Sequence, residues 1–248
     1  FNQTDLSRVT GYSLGRINKS IAELKINWYL DNQLNITSKT EELISVLKPK
    51  SAIILAAGYG LRMIPLCRDI PKALLEVNKE VIIERIIRQL HEVGIQDITV
   101  VVGFMKEKFE YLIDEFDVNL AINTEYTSKN NLYSLKLVID SVEDSYIIPG
   151  DLWCRENPFN SHELYSWYMV GDLLDKESNV RSNRKKELIL VDEETQGNHM
   201  LGISYIKNED AEVIRKRVSE MCKRSRYDNG IIIMSIYDFL LDPNSLEY

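Results

Sequence analysis

Cysteine is scarce in this 248-residue chain, which contains only Cys67, Cys154 and Cys222. The three lie far apart, and no two have the CxxC spacing that is common in zinc sites and redox motifs. An odd, unclustered set also argues against the framework of paired cysteines that stabilises small secreted domains. The sequence therefore predicts reduced thiols, without a disulfide scaffold or a cysteine-based zinc site.

Long apolar runs are lacking as well. No stretch of the sequence approaches the ~20 apolar residues needed to cross a bilayer, and no basic segment followed by an apolar one opens the chain. We therefore expect a cytoplasmic protein with no membrane partner. Hydrophobic residues make up 44% and charged residues 27%, values near the average for globular domains, which excludes disorder of the whole chain.

Charge is distributed unevenly along the chain. Residues 1–50 hold 7 Lys and Arg against 5 Asp and Glu, and residues 51–248 hold 23 against 33, so the two parts carry +2 and −10. The change of sign indicates separate surfaces with different partners. At roughly 100 to 200 residues per domain, the length fits a small domain over residues 1–50 and a larger one over residues 51–248.

The first domain contains a helix-turn-helix pattern. Two helical segments flank a turn at residues 10–13, and Ser13 is a plausible N-cap for the second. Residues 28–37 then alternate apolar and polar positions around a polar turn, which fits a wing, and another helical segment follows. The whole resembles a winged helix-turn-helix domain. The apolar face of its second helix comprises Leu14, Ile17, Ile21 and Leu24.

That resemblance implies a DNA partner. The outward residues of the second helix are where a DNA reader would place base and phosphate contacts, although a surplus of two positive charges is weak for this purpose. The alternative is a small packing or dimerisation module whose basic residues form a solvated face. DNA binding and a homodimer both stay open at this point. The outward residues are Arg16, Asn18, Lys19 and Lys25.

The second domain opens on a strand that ends in a glycine turn. Residues 51–58 read SAIILAAG, a continuous apolar run typical of a strand buried on both faces of a parallel sheet. Glycines in the turn let backbone N–H groups approach phosphate oxygens closely, and two cations follow. The candidate nucleotide-binding residues are Leu55, Ala56, Ala57, Gly58, Tyr59 and Gly60, and the candidate catalytic cations are Arg62 and Lys72.

The order of these features is more specific than the glycines alone. The GxxxxGK[ST] pattern of a Walker A loop is absent, and a bare GxG is a weak sign of a nucleotide site. Here an apolar strand, AAGxGxR, a short loop, PK and an apolar LLEV segment follow one another. That order resembles the nucleotidyltransferases, which join a nucleoside triphosphate to a phosphate monoester.

Further along the chain, strand-like apolar runs alternate with amphipathic helical patterns. The runs occupy residues 97–103, 118–123 and 145–150, and the helical patterns occupy residues 81–94 and 105–116. Such a series implies right-handed crossovers and a ligand at the carboxyl ends of the strands. The predicted class is α/β, with a Rossmann-like, doubly wound, mostly parallel sheet of the nucleotide-diphospho-sugar transferase type, preceded by the small winged helix-turn-helix domain.

An aspartate directly follows the last of these runs. Asp151 would place its carboxylate at the mouth of the sheet, where Mg²⁺ typically takes one or two protein carboxylates together with substrate phosphates. The alternative is an aspartate that caps a turn. The nucleotidyltransferase resemblance implies a second carboxylate late in the chain, for which Asp228 is the candidate and Asp238 and Asp242 are the alternatives.

One segment indicates which group of nucleotidyltransferases the sequence resembles. Residues 130–138, NNLYSLKLV, are similar to the NNxYSL segment of the bacterial choline-phosphate cytidylyltransferases, and the later GISYI and YDN also match that family. The family implies transfer of CMP from CTP to choline phosphate, with release of pyrophosphate and formation of CDP-choline. It also implies that Asn130 and Tyr133 lie near the pyrimidine and that Asp151 and Asp228 hold Mg²⁺.

The acceptor pocket is less well marked. A trimethylammonium group favours aromatic faces, because each cation–π contact contributes about 0.5 to 2 kcal/mol. The family tends to carry a Glu-Trp pair after the metal aspartate, whereas here Glu177 is followed by Ser178. This departure puts the acceptor in doubt. The aromatic candidates for the pocket are Trp153, Trp167, Tyr205 and Tyr227.

Two other functions stay open. A sugar-1-phosphate nucleotidyltransferase would use the same loop and metal. A transcription regulator would bind DNA through the first domain and use the second only to sense a nucleotide. Retention of Arg62, Lys72 and Asp151 favours an enzyme, because a pure sensor could do without a metal-holding carboxylate.

Overall fold

The computed structural model describes residues 2–58, 69–183, 186–192 and 195–224. The chain divides into two compact units, Phe1–Lys48 and Pro49–Tyr248. In these described ranges, no helix is both long enough and apolar enough to cross a membrane.

The first unit contains three helices whose starts are set by polar caps. They are α1 (Gln3–Thr10), α2 (Leu14–Ile26) and α3 (Ser38–Ser45). Each follows a residue whose side-chain oxygen accepts a hydrogen bond from a backbone N–H of the first turn, which satisfies one of the unpaired donors there. These caps are Asn2, Ser13 and Thr37.

Between α2 and α3 the chain forms a narrow hairpin where the sequence predicts a wing. Leu30 and Ile36 form a single antiparallel bridge. Asp31 closes the turn by accepting hydrogen bonds from the backbone N–H groups of Gln33 and Asn35, each at 2.8 Å. Three short helices and one bridge do not establish a winged-helix fold, so that interpretation and its DNA contacts stay predictions.

This first unit buries little apolar side-chain surface. Among its described residues, Ile17 on α2 is the buried hydrophobic residue, at 8% exposure, whereas Val9, Ile26 and Trp28 are 70%, 75% and 77% exposed. Packing therefore contributes little to the stability of this unit, and its helix caps and turn hydrogen bonds matter correspondingly more.

The second unit alternates strands and helices along the chain. Its described α-helices are α4 (Ile82–Glu92), α5 (Tyr111–Phe116), α6 (Asn131–Leu137) and α7 (Asn208–Arg224), and short 3-10 helices occupy Lys72–Leu74, Lys106–Phe109 and Ile139–Ser141. Its described strands are β1 (Ser51–Ala56), β2 (Glu76–Val77), β3 (Glu80–Val81), β4 (Asp97–Val102), β5 (Asn119–Ile122), β6 (Ser145–Pro149), β7 (Trp167–Asp175), β8 (Val180–Ser182), β9 (Leu188–Leu190) and β10 (Gly197–Ile206).

Six of these described strands form one sheet in the order β5-β4-β1-β6-β10-β7. The pairs β4–β5, β1–β4 and β1–β6 are parallel, and β10 pairs antiparallel with both β6 and β7. The parallel strands coincide with the runs that the sequence predicts. The antiparallel half is absent from that prediction.

Helices cover both faces of the sheet. Successive side chains of a strand point to opposite faces, so Ile54 packs in one core cluster with Ile87 of α4, while Ile53 packs in another with Leu135 of α6 and Ile214 of α7. The predicted α/β class with a doubly wound, mostly parallel sheet is therefore confirmed.

Candidate functional site

The carboxyl ends of β1 and β6 lie side by side where the strand order reverses. From β1 the chain crosses to β4 and β5 on one side and then returns to β6 on the other. In the parallel register of β1 and β6, Leu55 stands opposite Pro149. Doubly wound sheets form their ligand crevice at such a switch point, so the segments that follow β1 and β6 meet at one site.

A cavity of about 160 Å³ opens at this switch point. Its walls come from β1 and the glycine turn, from the short helix that begins at Lys72, from the start of α6 and from Asp151 after β6. Five residues that the sequence predicts for nucleotide binding, catalysis or metal binding therefore share one cavity. The lining residues are Leu55, Ala56, Gly58, Lys72, Ala73, Asn131 and Asp151.

Lys72 and Asp151 face each other in this cavity. The Nζ of Lys72 lies 3.6 Å from Oδ2 of Asp151, and the two side chains are 25% and 48% exposed. Lys72 begins a one-turn 3-10 helix, Lys72–Leu74, closed by a hydrogen bond from the Leu74 N–H to the Pro71 carbonyl at 2.9 Å. An ion pair this accessible to water contributes little to stability, so either charge can exchange its partner for a charged ligand.

Gly150 brings Asp151 close to β1. Its N–H donates to the Leu55 carbonyl at 2.9 Å. A Cβ at position 150 would lie 2.9 Å from Cβ of Ala56 and 3.2 Å from the Leu55 oxygen. Glycine is therefore required here by the close approach of two strand ends.

The NNxYS segment places its two asparagines in different roles. Asn130 is the N-cap of α6, since its Oδ1 accepts hydrogen bonds from the N–H groups of Leu132 and Tyr133 at 3.1 and 3.4 Å. Asn131 is the residue that lines the cavity. The hydroxyl of Tyr133 donates to Oε1 of Glu125 at 2.5 Å. This hydrogen bond raises the pKa of Tyr133, which stays a neutral phenol.

Among the aromatic candidates for an acceptor pocket, Trp153 already has the guanidinium group of Arg85 against its ring. The guanidinium carbon of Arg85 lies 5.0 Å from the centroid of its ring. Its indole Nε1 is buried, with no hydrogen-bond partner in the part of the chain that the structure describes. One face of Trp153 is therefore occupied by Arg85 and is not free for a trimethylammonium group.

Of the other two described candidates, Trp167 packs against the core and Tyr205 lies within it. The rings of Trp167 and Tyr146 meet edge to face, 5.9 Å apart. Tyr205 is 1% exposed, and its hydroxyl donates to Oδ1 of Asp144 at 3.5 Å. Burial, with the Asp144 charge second, raises the pKa of Tyr205. Tyr205 thus has no exposed ring face for an acceptor, and its predicted place in the acceptor pocket is not supported.

Other predicted site residues lie outside the described residues. These comprise the second half of the glycine turn, the first cation and the late candidates for metal and acceptor. Ala57, in contrast, is described: it is 2% exposed, and its carbonyl accepts a hydrogen bond from the Phe104 N–H at 3.2 Å. The residues outside are Tyr59, Gly60, Arg62, Tyr227 and Asp228.

The cavity offers a sparse set of metal donors. Within the described ranges, no group of three or more His, Cys, Asp or Glu side chains could hold a metal ion. Asp151 is the carboxylate among the residues that line the cavity. One or two carboxylates completed by substrate phosphates suit Mg²⁺, so the residues present fit an ion that arrives with a nucleotide.

The sequence is similar to known transferases over most of its length. The MobA-like NTP transferase domain matches residues 52–156, which contain the whole cavity lining. A choline-phosphate cytidylyltransferase from Streptococcus pneumoniae is 34% identical over 199 residues, which cover 79% of this chain and 85% of the relative. This chain belongs to the nucleotidyltransferase family.

Further comparisons agree with a nucleotidyltransferase. A choline-phosphate cytidylyltransferase from Haemophilus influenzae is 30% identical over 182 residues, or 72% of this chain and 78% of the relative. The solved structure of CTP:phosphocholine cytidylyltransferase from Streptococcus pneumoniae has a TM-score of 0.61 at 32% identity, covering 70% of this chain and 78% of that one. The predicted enzyme class and its Rossmann-like fold are confirmed at this level.

Sugar-phosphate transferases also match, over stretches of 87 to 221 residues. A putative UTP–glucose-1-phosphate uridylyltransferase from Bacillus subtilis is 38% identical over 87 residues, or 35% of this chain. The comparisons therefore establish nucleotidyl transfer, and the acceptor has to be argued from the site.

Proposed function

We propose that the enzyme transfers CMP from CTP to choline phosphate, forming CDP-choline and pyrophosphate. The observation that carries the proposal is the Lys72–Asp151 pair, 3.6 Å apart in the cavity that Gly58 also lines. Cations are needed there because the reaction moves negative charge among phosphates. A carboxylate is needed because it holds one of these cations, Mg²⁺. Similarity to two choline-phosphate cytidylyltransferases over most of their length supports this choice of nucleotide and acceptor.

The chemistry is an in-line displacement at phosphorus. A phosphate oxygen of choline phosphate forms a bond to the α-phosphorus of CTP while the bond from that phosphorus to the bridging oxygen breaks. Pyrophosphate leaves with the electron pair. The attacking phosphate is an anion near neutral pH, so the protein need not supply a general base. Positioning and charge neutralisation are then the main tasks of the protein.

Lys72 neutralises the charge that develops at the α-phosphate. Its ammonium group has three donors, and its partner in the free enzyme is the carboxylate of Asp151. When the nucleotide binds, Lys72 exchanges this carboxylate for an α-phosphate oxygen, to which it donates most strongly in the transition state.

Asp151, released from Lys72, would hold Mg²⁺ against the triphosphate, and Asp228 is the proposed second ligand. The bound ion supplies charge neutralisation at the phosphate oxygens. The backbone N–H groups of Gly58, Tyr59 and Gly60 and the guanidinium of Arg62 are proposed to bind the leaving pyrophosphate, as donors and charge for its oxygens.

The start of α6 is proposed to contact the cytosine. Asn131 lines the cavity, and a side-chain amide offers both a donor and an acceptor for the edge of a pyrimidine. Asn130 supports this contact indirectly, because its cap fixes the first turn of α6. Tyr133 holds the segment through its hydrogen bond to Glu125.

The proposal is tested by a panel of substrates. Pyrophosphate release is measured with CTP, UTP and dTTP, each combined with choline phosphate, ethanolamine phosphate and glucose 1-phosphate. We expect the highest kcat/KM for CTP with choline phosphate. A preference for UTP or dTTP with glucose 1-phosphate would replace the proposal by the second candidate, a sugar-1-phosphate nucleotidyltransferase, which the uridylyltransferase match favours.

The role of Lys72 is tested by Lys72→Ala. Loss of one donor aimed at transition-state charge typically lowers kcat by about 10² to 10³, and we expect the KM for CTP to change by no more than about threefold. Lys106→Ala is the matched control, because Lys106 is exposed and does not line the cavity. Equal losses in CTP binding and in kcat would count against a transition-state role.

A further inference from the structure

The segment that follows Asp151 is held by side chains rather than by regular secondary structure. Residues 151–166 connect β6 to β7 without a helix or strand. Backbone carbonyls in such a segment have no partner within a helix or sheet and need donors from elsewhere. Three consecutive carbonyls, those of Cys154, Arg155 and Glu156, receive hydrogen bonds from side chains of α4. The segment is thereby fastened to that helix.

Arg85 makes two of these four hydrogen bonds. Its Nε donates to the Cys154 carbonyl at 2.8 Å and its Nη2 to the Arg155 carbonyl. Its Nη1 pairs with Oε2 of Glu80 at 2.5 Å, and its guanidinium lies over the ring of Trp153. A guanidinium has five donors in one rigid plane, so it can meet two carbonyls, a carboxylate and an aromatic face together, which a lysine cannot do.

Gln89 adds a second anchor one turn along α4. It is 5% exposed, and its Nε2 donates to the Cys154 and Glu156 carbonyls, each at 3.3 Å. In return, Nδ2 of Asn157 donates to the Gln89 carbonyl at 2.8 Å. The helix itself is fixed against the sheet by residues such as Ile83, which is fully buried. Residues 153–157 are therefore held by a rigid helix, and such support is what a nearby site residue, Asp151, requires.

We propose that Arg85 is a positioning residue for nucleotidyl transfer: by fastening residues 153–155 to α4, it sets where the carboxylate of Asp151 stands relative to Lys72. The inference rests on the proposed function, which gives Asp151 its task. Arg85 is not among the residues that line the cavity, and Glu80 balances its charge. It therefore acts through the position of the backbone and not through charge on the substrate.

The first test measures whether the segment is released. Arg85→Ala and Arg85→Lys are compared with the wild type and with Arg88→Ala. Arg88 lies on the same helix and pairs with Glu84 at 2.6 Å and Glu80 at 4.0 Å, so its loss controls for removal of an arginine from α4. The amides of Gly150 and Phe159, which flank the segment, donate hydrogen bonds to the Leu55 carbonyl and to Oδ1 of Asn157. We expect these two amides to exchange about tenfold faster in Arg85→Ala, less so in Arg85→Lys, and as in the wild type in Arg88→Ala. Unchanged exchange in Arg85→Ala would overturn the proposal.

The second test separates positioning from a loss of folding. In Arg85→Ala we expect kcat for pyrophosphate release to fall about tenfold or more and the Mg²⁺ concentration for half-maximal rate to rise, while the KM for CTP changes little. Arg85→Lys should keep the fold and show a smaller loss of kcat. Faster exchange or a lower Tm with unchanged kcat and Mg²⁺ dependence would overturn the proposal.

Failure of the proposed function gives a different result. The wild type would then prefer another pair in the substrate panel, with which the variants are assayed instead, or release no pyrophosphate with any member. The positioning of Asp151 is in that case judged by Mn²⁺ binding in the presence of CTP, followed by electron paramagnetic resonance. Weaker Mn²⁺ binding in Arg85→Ala than in Arg88→Ala supports the inference, and equal binding in the two variants overturns it.

Discussion

Replacing Tyr146 by Phe is expected to destabilise the nucleotidyltransferase domain by about 3 kcal/mol. Tyr146 is fully buried on β6 and its ring meets that of Phe159 edge to face at 5.1 Å. Its hydroxyl donates to Oε1 of Glu163 at 2.5 Å and accepts from the Asn160 N–H at 3.0 Å. The substitution keeps the ring contacts and removes only the oxygen, so the polar network can be measured separately from packing.

The magnitude follows from two losses. Glu163 is 7% exposed and gives up a hydrogen bond to a charged group, worth about 1.5 to 3 kcal/mol. It keeps the bond from Nδ2 of Asn160 at 3.0 Å. The Asn160 N–H loses its hydroxyl acceptor, which adds about 1 kcal/mol. At roughly 2 to 4 °C per kcal/mol for a domain of this size, Tm should fall by about 6 to 12 °C.

Tyr205→Phe is the matched control. Tyr205 is also fully buried, its ring centroid lies 5.2 Å from that of Tyr146, and its hydroxyl also faces a carboxylate. The distance to Oδ1 of Asp144 is 3.5 Å, at the outer limit for a hydrogen bond. We therefore expect Tyr205→Phe to cost less than about 1 kcal/mol. The assay is urea denaturation followed by tryptophan fluorescence, and equal costs for the two variants would refute the reasoning.

Three further outcomes are expected. Asp151→Asn should abolish Mg²⁺-dependent pyrophosphate release, and an unchanged rate would remove Asp151 from the site. Gly150→Ala should destabilise the domain by about 1 to 3 kcal/mol because the new Cβ would lie 2.9 Å from Cβ of Ala56. Gly58→Ala is the control and should leave the denaturation midpoint unchanged, because its Cβ would meet nothing within 4 Å. Similar midpoints for the two variants would contradict this expectation. Hydrogen bonds from Asn35 lower the pKa of Asp31 from 3.8. The carboxylate therefore stabilises the first unit fully above pH 3.8, and this stabilisation is lost as pH falls through the lowered pKa. The stabilities of Asp31→Ala and the wild type, followed by circular dichroism, should converge in strong acid, and a constant difference at every pH would contradict this role of Asp31.

The parallel half of the sheet could be predicted because its strands are buried on both faces. Runs such as DITVVVG are nearly continuous in apolar residues, and amphipathic helices separate them. The antiparallel half gives a weaker signal. β7 is an edge strand with exposed residues such as Leu173 and Leu174, and the pairing of β10 is interrupted by two register shifts. Neither strand has a clean alternation of apolar and polar positions, so the pattern does not mark them.

The site was predictable where its chemistry depends on a local motif. Gly58, Lys72 and Asp151 occupy fixed places in an ordered pattern, and the structure brings them into one cavity. Asn131 could have been found from capping, because a helix that begins at residue 131 uses Asn130 as its cap and leaves the next side chain free to face the cavity.

Residues that act through backbone contacts or burial left no such signal. Arg85 binds carbonyl groups about 70 positions further along the chain, and no local motif records this. Aromatic residues are equally ambiguous, because a core ring and a cation-binding ring have the same composition. Residue type alone makes Tyr205 a candidate for an acceptor pocket, and its 1% exposure shows that it belongs to the core.

The junction between the two halves of the sheet has a consequence for folding. β10 joins β6 through only three residue pairs, which include Tyr205 with Tyr146. The antiparallel strands β7 and β10 lie near each other in the sequence. The parallel strands are joined by long crossovers, which close slowly. Asp151 begins the segment that connects β6 to β7 across this junction. We therefore expect its carboxylate to reach its final position only after both halves of the sheet have packed together. When the denatured chain refolds, we therefore expect catalytic competence to return after helical content and compactness, and activity that returned first would contradict this.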